Sequence, residues 1–285
     1  MVDGSPSLMY NYEYTILSVA ASGKALRQIA VDIKYSGNFH CGQEVFMRIK
    51  VLMADKAMKR ETMNEREKML SAALSDGVEI SVDCIKKGPD ELDCHTDETF
   101  AAPEMVKMAI QAEKDGFDAI VIYCFSDVGL DAMRENVSIP VIAPGDVSLA
   151  VANTICSRFV VVTGAGWNIP RTYRRMMKNP IAREKMAAVL ALDIPAVEMR
   201  VNPNATKEHL EAVCREAVEK YRADGLILGC LGMAGYGDAL EAAYPIKIFD
   251  PAFIAVAYAE MCVRLGLRHI PAQYRPFTND SHVEL

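Results

Sequence analysis

The sequence predicts an α/β protein with mainly parallel sheets, arranged as two pseudo-symmetric lobes. Short apolar strands alternate with amphipathic helical runs along most of the chain, the pattern of parallel strands joined by helical crossovers. Two of the strands are near copies, Ile120-Val121-Ile122-Tyr123-Cys124 and Leu226-Ile227-Leu228-Gly229-Cys230. Each copy has the same lead-in. A helical run and an acidic or glycine turn precede it, Lys114-Asp115-Gly116-Phe117-Asp118 in one case and Tyr221-Arg222-Ala223-Asp224-Gly225 in the other.

In chain order, residues 1–46 read as an N-terminal extension, with a strand over 13–19, a helix or second strand over 25–33 and a turn at Ser36-Gly37-Asn38. A strand follows over 49–53, then a helix over 60–74 that Asp76-Gly77 ends, and a strand over 78–82. Residues 88–95 read as a loop. Pro103-Glu104 is expected to open a helix whose apolar positions Met105, Met108, Ala109 and Ala112 share a face. It delivers the first cysteine strand. A helix over 130–135, a strand over 140–143, a helix over 147–156 and a strand over 158–163 come next. That strand runs into Gly164-Ala165-Gly166, which lacks the spacing of a dinucleotide loop and the lysine of a phosphate loop.

Residues 167–190 read as helix broken at Pro180, 195–199 as a strand, and 207–221 as the helix before the second cysteine strand. Asn202-Pro203-Asn204 is a turn and helix cap. A helix over 236–242, a strand over 246–249 and a helix over 251–265 complete the body. The expected division is a first lobe of 47–145 plus 250–270, a second lobe of 146–249 and a polar tail of 271–285. Both lobes are Rossmann-like, in the flavodoxin-like sense, with the active site between them.

At 285 residues the chain is long enough to bury a core without metal or disulfide support. Its 51% hydrophobic and 24% charged content is ordinary for a globular protein. A net charge of −7 without a basic cluster argues against nucleic acid and anionic membranes as partners. No apolar run is long enough to span a bilayer, and the first residues lack the basic and apolar regions of a secretory signal. The cysteines at 41, 84, 94, 124, 156, 214, 230 and 262 form no CxxC pair, and the histidines show no ligand spacing, so neither a metal nor a dithiol centre is expected. Reduced thiols and a cytoplasmic location are the expectation.

Cys124 and Cys230 stand where a strand hands over to a loop, at the edge where open α/β sheets bind ligands. A helix N-terminus there lowers a thiol's pKa towards neutrality. A thiolate on one face of a carbon and a thiol on the other make a two-base pair that withdraws a proton from one side and returns one to the other. Backbone N–H groups after each cysteine suit the oxyanion that forms. Asp127 is expected to cap the helix after Cys124. Cys94-His95 reads as exposed, and a buried cysteine at a strand end is by itself ordinary core material. The repeated context separates Cys124 and Cys230 from that background.

The stretch from Ile120 through Asp131-Ala132 and Leu228-Gly229-Cys230-Leu231-Gly232-Met233 resemble the signatures of the aspartate/glutamate/hydantoin racemase superfamily, nearest its hydantoin and allantoin racemase branch. Gly88-Pro89, Asp97 through Pro103, Ile139 through Ile142, Arg158 through Thr163, Phe249-Asp250-Pro251 and Leu265-Gly266-Leu267-Arg268 agree with that branch. The resemblance covers 47–268. It implies racemisation without a cofactor, with Cys124 and Cys230 as the acid/base pair and a hydantoin, allantoin or amino acid as the small-molecule substrate. It also implies substrate contacts around Phe125-Ser126 and Leu231-Gly232, with Thr163 facing the same edge, and assembly into a homo-oligomer. The family's Asn-Pro-Asn at the end of the first strand is replaced by Met53-Ala54-Asp55-Lys56, which makes Asp55 the candidate contact there and leaves the substrate open. Another isomerase of the superfamily, acting on aspartate or glutamate or resembling maleate isomerase, is the alternative. A non-catalytic small-molecule-binding protein is a further one.

Overall fold

A computed structural model describes residues 46–56, 58–194 and 196–270. Apart from Phe46, the extension with its elements at 13–19, 25–33 and 36–38 lies outside the described residues, as do Cys41 and the tail 271–285.

The first half runs β1 (Met47–Met53), α1 (Arg60–Ser71), β2 (Val78–Cys84), α2 (His95–Lys114), β3 (Ala119–Ile122), α3 (Leu130–Asn136), β4 (Val141–Ile142) and α4 (Pro144–Ile155). The second runs β5 (Phe159–Thr163), a 3-10 turn at Gly166–Asn168, α5 (Ile169–Met176), α6 (Pro180–Lys185), β6 (Met186–Ala191), α7 (Ala196–Val201) and α8 (Pro203–Glu219). It continues through β7 (Gly225–Leu228), a 3-10 turn at Leu231–Met233, α9 (Gly237–Ala243), β8 (Lys247–Phe249) and α10 (Pro251–Leu265). The strands form two four-stranded sheets of orders β2-β1-β3-β4 and β6-β5-β7-β8. All their pairings are parallel. The register repeats as well, with Leu52 opposite Ile122 in one sheet and Val162 opposite Leu228 in the other.

β3, β5 and β7 are buried throughout, as strands covered on both faces must be. Their side chains alternate between two cores. Ile120 and Ile122 join Met105, Ala109 and Met133 on the outer face of the first sheet. Val121 and Val51 turn the other way, into a core shared with Val161, Ile227 and Phe249 of the second. The two long helices that follow the sheets cross over: α4 packs on β7 and α6, and α10 returns to β1, β3 and β4. Their small residues, Ala152 on α4 and Ala252, Ala255 and Ala259 on α10, lie in the shared core.

Three expectations are corrected. Pro103 does not open its helix: α2 begins at His95, because Asp97 Oδ2 accepts the N–H groups of Asp93 and Cys94, each at 2.9 Å, and caps it there. Cys94 is accordingly the N-cap of α2 rather than part of an open loop, although it is exposed as expected. Residues 186–191 are strand β6, not helix. Met-Ala-Ala-Val-Leu-Ala has good helix propensity, but parallel pairing with β5, Val161 opposite Val189, decides its state. Residues 196–201 are then the helix α7 where a strand was expected, since β6 has already filled that edge of the sheet.

Candidate active site

A parallel sheet of order 2-1-3-4 reverses its winding direction between strands 1 and 3, and a crevice opens there at the carboxyl edge. In the first sheet Asp55 follows β1 and Cys124 follows β3. In the second, Thr163 ends β5 and Cys230 follows β7. The two cysteine strands therefore end at equivalent switch points.

Tyr123 joins the two places. Its hydroxyl donates to the Leu231 carbonyl at 3.2 Å, in a buried bond that ties the residue before one thiol to the residue after the other. Helix α5 adds two ion pairs. Arg171 Nη1 lies 3.2 Å from Glu98 Oε1, and Arg175 Nη2 lies 3.1 Å from Asp127 Oδ2. The Arg175 guanidinium also sits 5.0 Å from the Phe125 ring centroid. The loop that carries Cys124 is thus held by groups from the second half of the chain.

Cys124 is half-buried, and burial pushes its thiol up to about 12. The Ser126 N–H, directed at the sulfur, and the Arg175 charge oppose that rise, whereas Glu98 and Asp127 add to it. The expected depression by a helix end is reversed here, because α3 does not begin until Leu130 and desolvation prevails. Phe125 and Leu231 bury their side chains.

Asp127 has a left-handed backbone, φ 54°. Burial pushes its carboxyl up to about 6, against the Arg175 charge and the Gly145 N–H that it accepts at 3.0 Å. The helix it caps is α4 rather than α3, whose N-cap is Gly129. The reason is local: the N-cap residue of α4, Ala143, has no side-chain acceptor, so Asp127 supplies one from the Cys124 loop. Gly145 must lack a side chain, since a Cβ there would meet Phe125 O and Asp127 Oδ2 at 2.7 Å, and Arg175 Nη2 closer still. On the other side Asp250 caps its own helix through Ala252 N at 3.0 Å and takes the Gly235 N–H, from the loop after Cys230, at 2.8 Å. Each thiol loop is therefore anchored by an aspartate to the first turn of a long helix.

Cys230 is half-buried and opens the 3-10 turn Leu231–Met233, its carbonyl accepting the Met233 N–H at 3.0 Å. A Cβ on Gly232 would stand 3.4 Å from Cys230 Sγ and 3.3 Å from Met199 Sδ, so the bare glycine keeps the space over the thiol open. Beside it lies a cavity of about 610 Å³, walled by Met58, Thr62, Arg66 and Met69 on one side and Met199 and Tyr236 on the other. Thr163 is buried, paired in register with Ala191. Asp55 lies at the β1/β2 edge. Its charge is felt by Cys84, whose thiol burial pushes up first and Asp55 next. Lys56 is engaged away from the thiols, its N–H on Pro89 O at 3.0 Å and its ammonium 3.5 Å from Asp90. Tyr123, Arg175 and Arg66 were not singled out by the sequence. Only Tyr123, adjacent to Cys124, carried any local signal.

Among the described residues no group of three or more His, Cys, Asp or Glu side chains is placed to hold a metal ion. No described helix is long and apolar enough to cross a membrane.

A family model described as Asp/Glu/hydantoin racemase matches residues 61–259, well over half of the chain. The protein belongs to that family and is an isomerase of the racemase kind. Among its relatives, the hydantoin racemase of Pseudomonas sp. (strain NS671) is 30% identical over 224 residues, which cover 77% of this chain and 87% of that one. The allantoin racemase of Klebsiella pneumoniae superposes with a TM-score of 0.73 at 26% identity, over 79% of this chain and 90% of that one. The allantoin racemase of Pseudomonas fluorescens shares the fold, with a TM-score of 0.74 at 23% identity over 81% and 99% of the two chains.

Proposed function

We propose that the protein racemises 5-substituted hydantoins or allantoin without a cofactor, by proton exchange between Cys124 and Cys230. The observation that carries this is the pair of thiols at equivalent switch points, with the Tyr123–Leu231 hydrogen bond joining their loops. The ring lies between the loops. One sulfur withdraws the proton from the substituted carbon while the other delivers a proton to the opposite face. The carbanion's charge spreads to the neighbouring carbonyl, which the N–H groups around Ser126 and Gly232 stabilise. Asp55 and Thr163, at the ends of β1 and β5, contact the ring. Burial raises the Cys124 thiol to about 12, so it holds its proton at neutral pH in the unliganded protein, which suits it to the donor's role.

In this reading 47–145 with 250–270 form one lobe and 146–249 the other. The described cysteines form no disulfide with one another, which suits the cytoplasm. A homo-oligomer belongs to the same proposal, and light scattering in solution reads it.

The deciding experiment follows the ellipticity of L-5-benzylhydantoin with wild type, Cys124→Ser and Cys230→Ser. Wild type takes it to zero, and each variant loses on the order of 10³-fold in rate. Activity retained by either variant rejects the two-thiol mechanism. A wild type that leaves hydantoin and allantoin at the background rate but racemises aspartate or glutamate moves the substrate to the amino acids.

A further inference from the structure

We infer that the cavity beside Cys230 receives the substituent on the reacting carbon, and that Arg66 makes it select a substituent ending in a carboxylate. The inference deepens the racemase reading and rests on it for the orientation of the ring.

The cavity has the volume of a small-molecule site, about 610 Å³, and it extends to Gly232, two residues beyond Cys230. Gly232 lines it, and the Cβ that Gly232 lacks would stand 3.4 Å from Cys230 Sγ. A substituent on a carbon held at that sulfur therefore has open space ahead of it. Met58, Met69 and Met199 give the walls soft, unbranched thioethers that accommodate a methylene chain. An apolar chain alone, however, does not account for Arg66.

Arg66 is 9% exposed, and among the described residues no carboxylate lies within ion-pair distance of it. Among the same described residues its Nε finds no hydrogen-bond acceptor. Its Nη1 reaches only Met69 Sδ, at 3.6 Å, and its guanidinium is 5.9 Å from the Tyr123 ring centroid. Asp250 feels the Arg66 charge from a distance, but the Asp250 oxygens are already engaged by the N–H groups of Gly235 and Ala252. On the rim, exposed Lys59 and Glu65 oppose one another. Burying a guanidinium without a carboxylate is unfavourable, and a charge-assisted pair with an incoming anion offsets much of that penalty.

The second half of the molecule supplies the control. Arg175 sits in α5, the helix that follows the first strand of its sheet, just as Arg66 sits in α1. Arg175 has its protein carboxylate, Asp127, at 3.1 Å. In its counterpart that place is taken by the cavity.

The test uses two ligands of one size: 5-(2-carboxyethyl)hydantoin and its neutral primary amide. Calorimetric titration of the wild-type protein is expected to show the acid binding about ten- to hundredfold more tightly than the amide. In Arg66→Met that ratio falls to within about threefold, and Arg66→Lys, a point charge without the planar fork, keeps part of it. Equal binding of acid and amide by wild type, binding of neither, or a preference that survives Arg66→Met overturns the inference. The wild-type comparison decides even if Arg66→Met does not fold, which far-ultraviolet circular dichroism reports. Ellipticity decay of the same ligands is read separately. An Arg66-dependent preference without racemisation keeps the inference and rejects the racemase reading, whereas racemisation of both ligands with no preference does the reverse.

Discussion

Cys124 and Asp127 share one loop, and burial drives both towards their neutral forms, to pKa values of about 12 and about 6. For Cys124 this predicts slow alkylation at neutral pH. Mass spectrometry of iodoacetamide-treated protein should find its rate rising about tenfold per pH unit from 7 to 10, as the thiolate fraction does. A plateau below pH 9 contradicts the raised value. For Asp127 the sign runs the other way from an ordinary salt bridge. The folded protein binds this proton more tightly than the unfolded chain, so the stability it contributes is full below the ordinary value of 3.8 and is lost as pH rises through about 6. Asp127→Asn keeps an acceptor for the Gly145 N–H and tolerates φ 54°, so urea midpoints between pH 4 and 7 should fall less than in wild type. The fall does not vanish, because Asp250, also raised by burial, adds one of the same sign. The thiols were legible in the sequence because each stands in a repeated strand and lead-in. Arg175 and Arg66 were not: what defines them is the presence or absence of a carboxylate brought from a distant part of the chain.

At the scale of elements, the site depends on how two strand-to-loop transitions are braced. Tyr123→Phe removes the side-chain donor to Leu231 O and leaves that carbonyl only the longer bond from the Ala234 N–H, at 3.3 Å, at a cost of about 0.5–1.5 kcal/mol. Its signature is a fall in kcat larger than the change in KM for any racemised substrate, since the thiols lose register while the ring's binding groups remain. An unchanged kcat contradicts a positioning role. Gly145→Ala forces a Cβ against Phe125 O and Asp127 Oδ2, so we expect a loss of about 1–3 kcal/mol in urea unfolding together with impaired turnover. The central strands could be read because their apolar runs are bounded by turn signals. β6 could not, since Met-Ala-Ala-Val-Leu-Ala carries no turn signal or β-branched run and its state is set by pairing with β5. The duplication itself was the missed clue. A second copy of strand-helix-strand-helix-cysteine strand requires a strand between β5 and β7.

At the scale of the molecule, α10 closes the chain by returning from the second sheet to pack on the first. Glu260 fastens it: Oε2 accepts the Ser75 N–H at 3.2 Å and Oε1 accepts from Arg264 Nε at 2.7 Å. Burial pushes the Glu260 carboxyl up, but the Ser75 and Arg264 interactions outweigh that and hold it below its ordinary 4.5. The stability it contributes is therefore present above that pH and lost as pH falls through the lowered value. Glu260→Gln should cost about 1–3 kcal/mol at pH 7 and progressively less in acid, read from urea midpoints. An equal cost at both ends of the range removes the charge from the account.

By itself the sequence determined the class of fold, the two cysteine strands and the family resemblance, because these rest on local periodicity and on motifs contained in short segments. Only the tertiary structure decided that the two thiol loops are joined through Tyr123, that Asp127 caps the helix after β4, and that Arg66 lines a cavity while Arg175 pairs with a carboxylate. The physical reason is range. Hydrogen bonds, desolvation and charge pairing act between groups that are adjacent in space, and here those groups are far apart along the chain. The same burial that brings them together pushes Cys124 up to about 12, where the sequence predicted a lowered thiol.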